Sequence, residues 1–173
     1  METLAGKKVL MLIASSQFRD EEYQKPRVIL EAAGAKVTVA CSSLKEATGM
    51  LGLKVKPDIL LQEATMSEYD AVVFVGGMGA TEYWENPAAQ ALATSAYRSG
   101  KPTAAICLAP MTLANAGLLK GKRATIWKDA VTDFKTKGVL YTGKSVEQDG
   151  QLITGSGPDA AEEFGKALVE ALQ

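Results

Sequence analysis

Histidine is absent from all 173 residues, and cysteine occurs only twice, at Cys41 and Cys107. Two cysteines without chelating spacing make neither a disulfide framework nor a ligand pair, and histidine is the commonest metal ligand, so no metal centre is expected. Long apolar runs are also missing. Nothing approaches the ~20 residues that a membrane span requires. The stretch Val9 to Ala14 behind Lys7 and Lys8 is shorter than the roughly 7–15 apolar residues of a signal-peptide core, and it reads as a first β-strand. Charge of one sign does not accumulate either, since the net charge is −1. The one basic cluster, Lys120, Lys122 and Arg123, lies in a glycine-containing turn and reads as a solvated turn, with no electrostatic basis for nucleic-acid binding. These absences predict a cytoplasmic protein with no cofactor and with neither nucleic acid nor membrane as a partner.

Hydrophobic residues make up 47% of the chain and charged residues 23%, the usage of an ordinary globule. A chain of this length buries roughly 70% of its unfolded surface, and residues 1–173 read as one domain. Apolar runs bounded by turn signals alternate with helical segments, which predicts an α/β fold with a mostly parallel sheet covered by helices on both faces. The runs are Val9 to Ala14, Lys36 to Ala40, Ala71 to Val75 and Pro102 to Ile106. The third should be central, because Val72 to Val75 is continuously β-branched and aromatic. Helices are expected up to Gly34, over Pro87 to Ser99, over Leu108 to Ala116 and from Pro158 or Asp159 to Leu172. Three short strands near Val139, Ser145 and Leu152 are expected to be joined at Gly143 and at Asp149-Gly150, the latter a strong hairpin signal.

One junction carries chemistry. In Lys101-Pro102-Thr103-Ala104-Ala105-Ile106-Cys107-Leu108-Ala109-Pro110, an apolar strand gives way to a helix within about one residue, and cysteine occupies the change. This is the grammar of a nucleophile elbow, with small neighbours Ala105 and Ala109 and a proline suited to a first helical turn. A thiol at a helix N-terminus is expected to have a pKa below its free value near 8.5. The alternative is a buried structural cysteine. Cys41, at the end of the second strand, lacks this context and reads as structural.

Two other segments meet the elbow if the sheet is parallel, because ligands then lie beyond the carboxyl ends of the strands. Gly76-Gly77-Met78-Gly79 follows the third strand, where its amides are a possible oxyanion hole or only a tight turn. Phe18 to Pro26 follows the first strand and brings carboxylates to the same edge. Asp20 and Glu21 read as helix-capping or solvated groups. Tyr83 and Trp84 either wall the site or pack in the core or at an interface, and Met50, Met66 and Met111 are assigned no role.

With the elbow AAICLAP, the turn VVFVGG, the acidic entry FRDEEYQKP and the terminal QDGQLITGSGP, the chain resembles the ThiJ/PfpI superfamily over nearly its whole length. That superfamily includes the Parkinson's-associated protein deglycase and the PfpI intracellular peptidases. The resemblance implies a flavodoxin-like three-layer sandwich and a homodimer. It places the elbow cysteine beside a glutamate four residues before a proline, which is Glu22. It puts the oxyanion donors at Gly77, next to Gly76, and at the amide of Leu108. In deglycase-like members the glutamate is protonated and hydrogen-bonds the thiolate. Three departures stand out: Leu108 replaces the histidine of peptidase-like members, Trp127 falls where deglycase-like members carry a second histidine, and Ala109 replaces a common glycine.

Without histidine an intracellular cysteine peptidase is disfavoured. The leading expectation is a cofactor-free glyoxalase or deglycase-like activity on small reactive carbonyls, with Cys107 as nucleophile and Glu22 moving protons. The alternative is a redox-sensing stress-response protein in which peroxide oxidises Cys107. A chaperone-like binding protein with an unreactive thiol is the third reading.

Overall fold

The runs without polar alternation form the middle of the sheet. In the computed structural model, which describes residues 3–173, the strands are β1 (Lys8–Leu12), β2 (Lys36–Cys41), β3 (Ala47–Thr48), β4 (Lys54–Val55), β5 (Ile59–Leu60) and β6 (Ala71–Phe74), followed by β7 (Thr103–Ile106), β8 (Arg123–Ala124), β9 (Leu140–Tyr141), β10 (Val146–Asp149) and β11 (Leu152–Gly155). The helices are α1 (Asp20–Ala32), α2 (Pro87–Arg98), α3 (Pro110–Asn115), α4 (Val131–Thr136) and α5 (Ala161–Leu172). Every residue of β6 and of β7 is buried, as sheet strands covered on both faces must be.

The main sheet has the order β10-β11-β7-β6-β1-β2-β5, and only β10 runs antiparallel to its neighbour. The five strands β2-β1-β6-β7-β11 therefore have the flavodoxin order. From β1 the chain crosses to β2 on one side, and from β6 it crosses to β7 on the other. Right-handed crossovers then put α1 and α2 on opposite faces. The switch point falls between β1 and β6, so their carboxyl ends open the crevice where ligands bind in such sheets.

The layers are sealed by close approaches. Helices α1 and α5 pack against each other. Gly165 permits this, because a Cβ there would stand 3.1 Å from the Cα of Pro26 and 3.0 Å from Ile29 Cδ1. Glycine inside a helix costs about 1 kcal/mol relative to alanine, and the contact explains its presence. On the other face α2 packs on β6, β7 and α3. Its start is the expected one, with Pro87 in the first turn and the Asn86 side chain accepting from the amides of Ala88 and Ala89.

Two expectations about the last third need correction. The hairpin at Asp149-Gly150 forms, pairing Asp149 with Leu152. The link through Gly143 does not join neighbouring strands, because β9 instead pairs in parallel with β8 in a separate two-stranded sheet. Arg123, expected in a solvated turn, lies in β8, where its guanidinium donates to the Gln148 carbonyl and approaches Glu147. Met66 and Met111 are buried in the core, each 2% exposed.

Candidate active site

Cys107 stands one residue beyond β7 with φ +65°, a left-handed conformation that a side chain adopts only when its surroundings impose it. Those surroundings are explicit. Its N–H donates to the Gly155 carbonyl at 2.9 Å, its carbonyl accepts from the Trp127 N–H at 2.9 Å, and the Ala109 N–H closes the turn on Ile106 at 3.1 Å. The helix that follows is shorter than expected, starting at Pro110 rather than Leu108.

Three chain segments converge on the thiol. The amides of Gly77 and Leu108 lie close enough to the thiol to pull its pKa down. Gly77 has φ +107°, and a Cβ there would run into the backbone of residues 17 to 19, so glycine is required on both counts. Gly76 is needed for space: a Cβ would meet Glu22 Oε1, the Ile106 carbonyl and Cys107 Cβ. Its amide faces the Glu22 carboxyl rather than the thiol.

Glu22 comes from the first turn of α1 and is fully buried. Pro26, one turn on, has no N–H to give the Glu22 carbonyl. Neither carboxyl oxygen has a hydrogen-bond partner of good geometry; the polar groups they face are the Cys107 thiol and the Gly76 amide. Burial raises the Glu22 pKa to about 8, against smaller opposing contributions from Cys107 and the Arg19 guanidinium. Glu22 is thus a carboxylic acid at neutral pH.

The thiol does not follow the simple expectation for a helix N-terminus. It is buried, only 6% exposed. Burial pushes it up, to about 12 when the charge of an ionised Glu22 is counted with it, while the Gly77 and Leu108 amides pull it down. The upward push from Glu22 exists only while that carboxyl is ionised. Protonated, Glu22 presents a donor to the sulfur and acts in the opposite direction. The two acids therefore titrate as one coupled pair, with one buried site of negative charge between them.

The neighbouring acids have structural partners. Asp20 is neither solvated nor a cap: it is buried, and its carboxylate accepts from the amides of Leu51 at 2.9 Å and Leu53 at 2.8 Å, pinning the β3–β4 turn beside the site. Glu21 is drawn below the usual carboxylate range by its hydrogen bond from Arg19, 2.9 Å away. Tyr83 proves to be core: its hydroxyl donates to the Ile13 carbonyl at 2.7 Å and accepts from the Ser42 amide at 3.0 Å. Cys41 is fully buried beside it. Trp84, whose role the sequence left open, sends its indole N–H to the Leu108 carbonyl at 2.8 Å. Trp127 lies against Gly157, where a Cβ would come within 2.8 Å of the indole ring.

A profile of the DJ-1/PfpI family matches residues 7–171. The chain belongs to the DJ-1/PfpI family. It is 39% identical to an uncharacterized protein of Methanocaldococcus jannaschii, over 99% of this chain and 85% of that protein. It is 30% identical to the deglycase PfpI of Pyrococcus furiosus, over 86% of this chain and 90% of that one. Among solved structures it superposes on the ThiJ/PfpI domain protein of Brachyspira murdochii with a TM-score of 0.93 and 31% identity, covering 96% and 98% of the two chains.

This DJ-1/PfpI protein lacks histidine altogether, and the two titratable side chains that meet at its elbow are Glu22 and Cys107. Among the described residues no cluster of three or more His, Cys, Asp or Glu side chains could hold a metal ion, and no helix is long and apolar enough to cross a membrane. Sequence reasoning left Trp84 open between wall and packing residue, read Asp20 as a cap or solvated group, and did not single out Gly157. For Trp84 a signal was present, since an indole close behind a glycine turn must place its N–H somewhere when partly buried.

Proposed function

We propose that the protein is a cofactor-free glyoxalase or deglycase-like enzyme acting on small α-oxoaldehydes. The observation that carries this reading is the fully buried Glu22 carboxyl beside Cys107, the two side chains packed together around Gly76; burial holds that carboxyl's pKa up, to about 8. Relatives named deglycases, at about 30% identity, point the same way.

The chemistry needs no oxidant and balances with water alone. The Cys107 thiolate attacks the aldehyde carbon of methylglyoxal and a C–S bond forms. The carbonyl oxygen, held by the Gly77 and Leu108 amides, takes the Glu22 proton to give a hemithioacetal. Glu22, now a carboxylate, removes the proton from the former aldehyde carbon, and protonation of the adjacent carbon turns the enediol into a lactoyl thioester. Water breaks the C–S bond, so methylglyoxal and water leave as lactic acid. A peptidase reading lacks a histidine to take the thiol proton and then, as imidazolium, give one to a leaving amine.

Production of lactate from methylglyoxal by the purified protein tests the proposal. It requires wild type to be active and Cys107→Ser to lose activity by at least about 100-fold, the lower range expected when a nucleophile or general acid is removed. Equal rates would overturn it.

A second reading, reversible oxidation of Cys107 by peroxide, is favoured by the contrast between the two thiols: Cys41 is sealed in the core, while Cys107 meets amides that stabilise an anion. In either reading a homodimer is the expected assembly, as the family resemblance implies.

A further inference from the structure

Trp84 joins the two halves of the anion site. It ends the segment that begins with Gly76-Gly77 and passes through a stretch of 3-10 helix, Met78–Tyr83. Its indole N–H donates to the Leu108 carbonyl at 2.8 Å, just after the elbow. Its own carbonyl accepts from Asn115 Nδ2 at 2.8 Å, at the far end of α3, and from Gln90 Nε2 at 3.1 Å, on α2. One residue thus grips the elbow ahead of α3 and the last residue of α3. The only helical-type bond to the Leu108 carbonyl is the long one from Met111, at 3.4 Å, so the indole is its principal donor.

The consequence concerns Gly77 and Leu108, which border the thiol: a Cβ on Gly76, next to Gly77, would stand 2.5 Å from Cys107 Cβ, and Leu108 follows Cys107 in the chain; both amides pull the thiol pKa down. They belong to different strand ends, after β6 and after β7. Main-chain pairing of β6 with β7 stops at Phe74 and Ala105, short of both. Beyond that point the indole bond of Trp84 ties the Gly77 segment directly to Leu108. The elbow itself is strained, with φ +65° at Cys107; the Trp127 N–H holds the peptide unit that carries the Leu108 N–H through the Cys107 carbonyl, and the Trp84 indole holds the next peptide unit through the Leu108 carbonyl.

We propose that Trp84 is a positioning residue that keeps the Gly77 and Leu108 amides in register around the Cys107 sulfur, through its indole N–H bond to the Leu108 carbonyl. The inference rests on Cys107 being the reactive group, and it holds whichever chemistry the thiol performs. It predicts that losing the N–H, with the ring kept, weakens thiolate stabilisation without unfolding the protein.

The test replaces Trp84 by benzothienylalanine, an isostere with sulfur in place of the indole N–H, alongside Trp84→Phe. The pH profile of Cys107 alkylation by iodoacetamide is then measured, with the thermal midpoint as a fold control. The isosteric variant is expected to keep a midpoint near wild type while its alkylation profile moves to higher pH by about 0.5–1 unit, a three- to tenfold slower reaction at a fixed pH below the inflection. Trp84→Phe should move the same way. An unchanged profile in the isosteric variant overturns the proposal and leaves Trp84 a packing residue. Because the readout is thiol reactivity, it separates from the proposed activity: lactate production absent from wild type would overturn the enzymatic reading while leaving the Trp84 result standing.

Discussion

The carboxyl of Glu22 and the thiol of Cys107 face each other across Gly76, whose missing side chain leaves room for both. Three strand ends supply the three residues, after β1, β6 and β7, on either side of the topological switch point. The fold therefore brings a buried acid and a buried thiol into one charge site, and the properties of each depend on the other.

Gly76→Ala should break this relationship. The added methyl meets backbone at Ile106 as well as the Glu22 and Cys107 side chains, and backbone cannot yield cheaply. The variant is expected to lose about 1–3 kcal/mol of stability, the usual range for overpacking, and most of its Cys107 alkylation rate. Urea unfolding and iodoacetamide kinetics measure the two effects, and a wild-type rate would show that the site has slack.

Glu22 makes stability depend on pH with a definite sign. Its folded pKa, about 8, lies above its unfolded value of 4.5. The folded state therefore holds a proton that the unfolded chain has given up. The stability contributed by the protonated form is full below 4.5 and is lost as pH rises through 8. Glu22→Gln removes that loss, so across this window the variant gains on wild type by at most about 5 kcal/mol. Denaturant titrations at several pH values between these limits show it as a difference curve; parallel curves would mean that Glu22 is not buried and protonated.

Gly157 is tied to Trp127 by space and not by backbone conformation, since its φ of 164° is open to any residue. Gly157→Ala is expected to destabilise by about 1–3 kcal/mol in the presence of Trp127 and by clearly less in a Trp127→Ala background. A double-mutant cycle on thermal stability gives the coupling, and additive effects would contradict it.

Most of this fold is legible in the sequence because its strands are continuous apolar runs and its helix ends carry Gly34, Pro87 and Gly117. What the sequence hides is pairing between distant short pieces: β8 with β9 spans two residues each, too short for any periodic signal. At the site, Cys107 and the glycines follow from a local strand-to-helix junction. Glu22 needed the resemblance, because three acids in a row look alike until burial sorts them into a turn anchor, an ion pair and a buried acid. The expectation of a lowered thiol pKa failed for the same reason, since burial is invisible in the local pattern.

The two thiols should part company under oxidant. With graded peroxide, Cys107 is expected to gain oxygen before Cys41, which is fully buried. Peptide mass spectrometry reads the order, and equal oxidation of both would remove the redox reading.

The coupled pair itself is tested most directly by the pH profile of Cys107 alkylation in wild type and in Glu22→Gln. If the two acids share one site of charge, wild type shows two inflections, one of them near 8, where Glu22 ionises, and Glu22→Gln collapses these to a single step. Superimposable profiles would contradict the account, because the thiol would then ionise without reference to the carboxyl beside it.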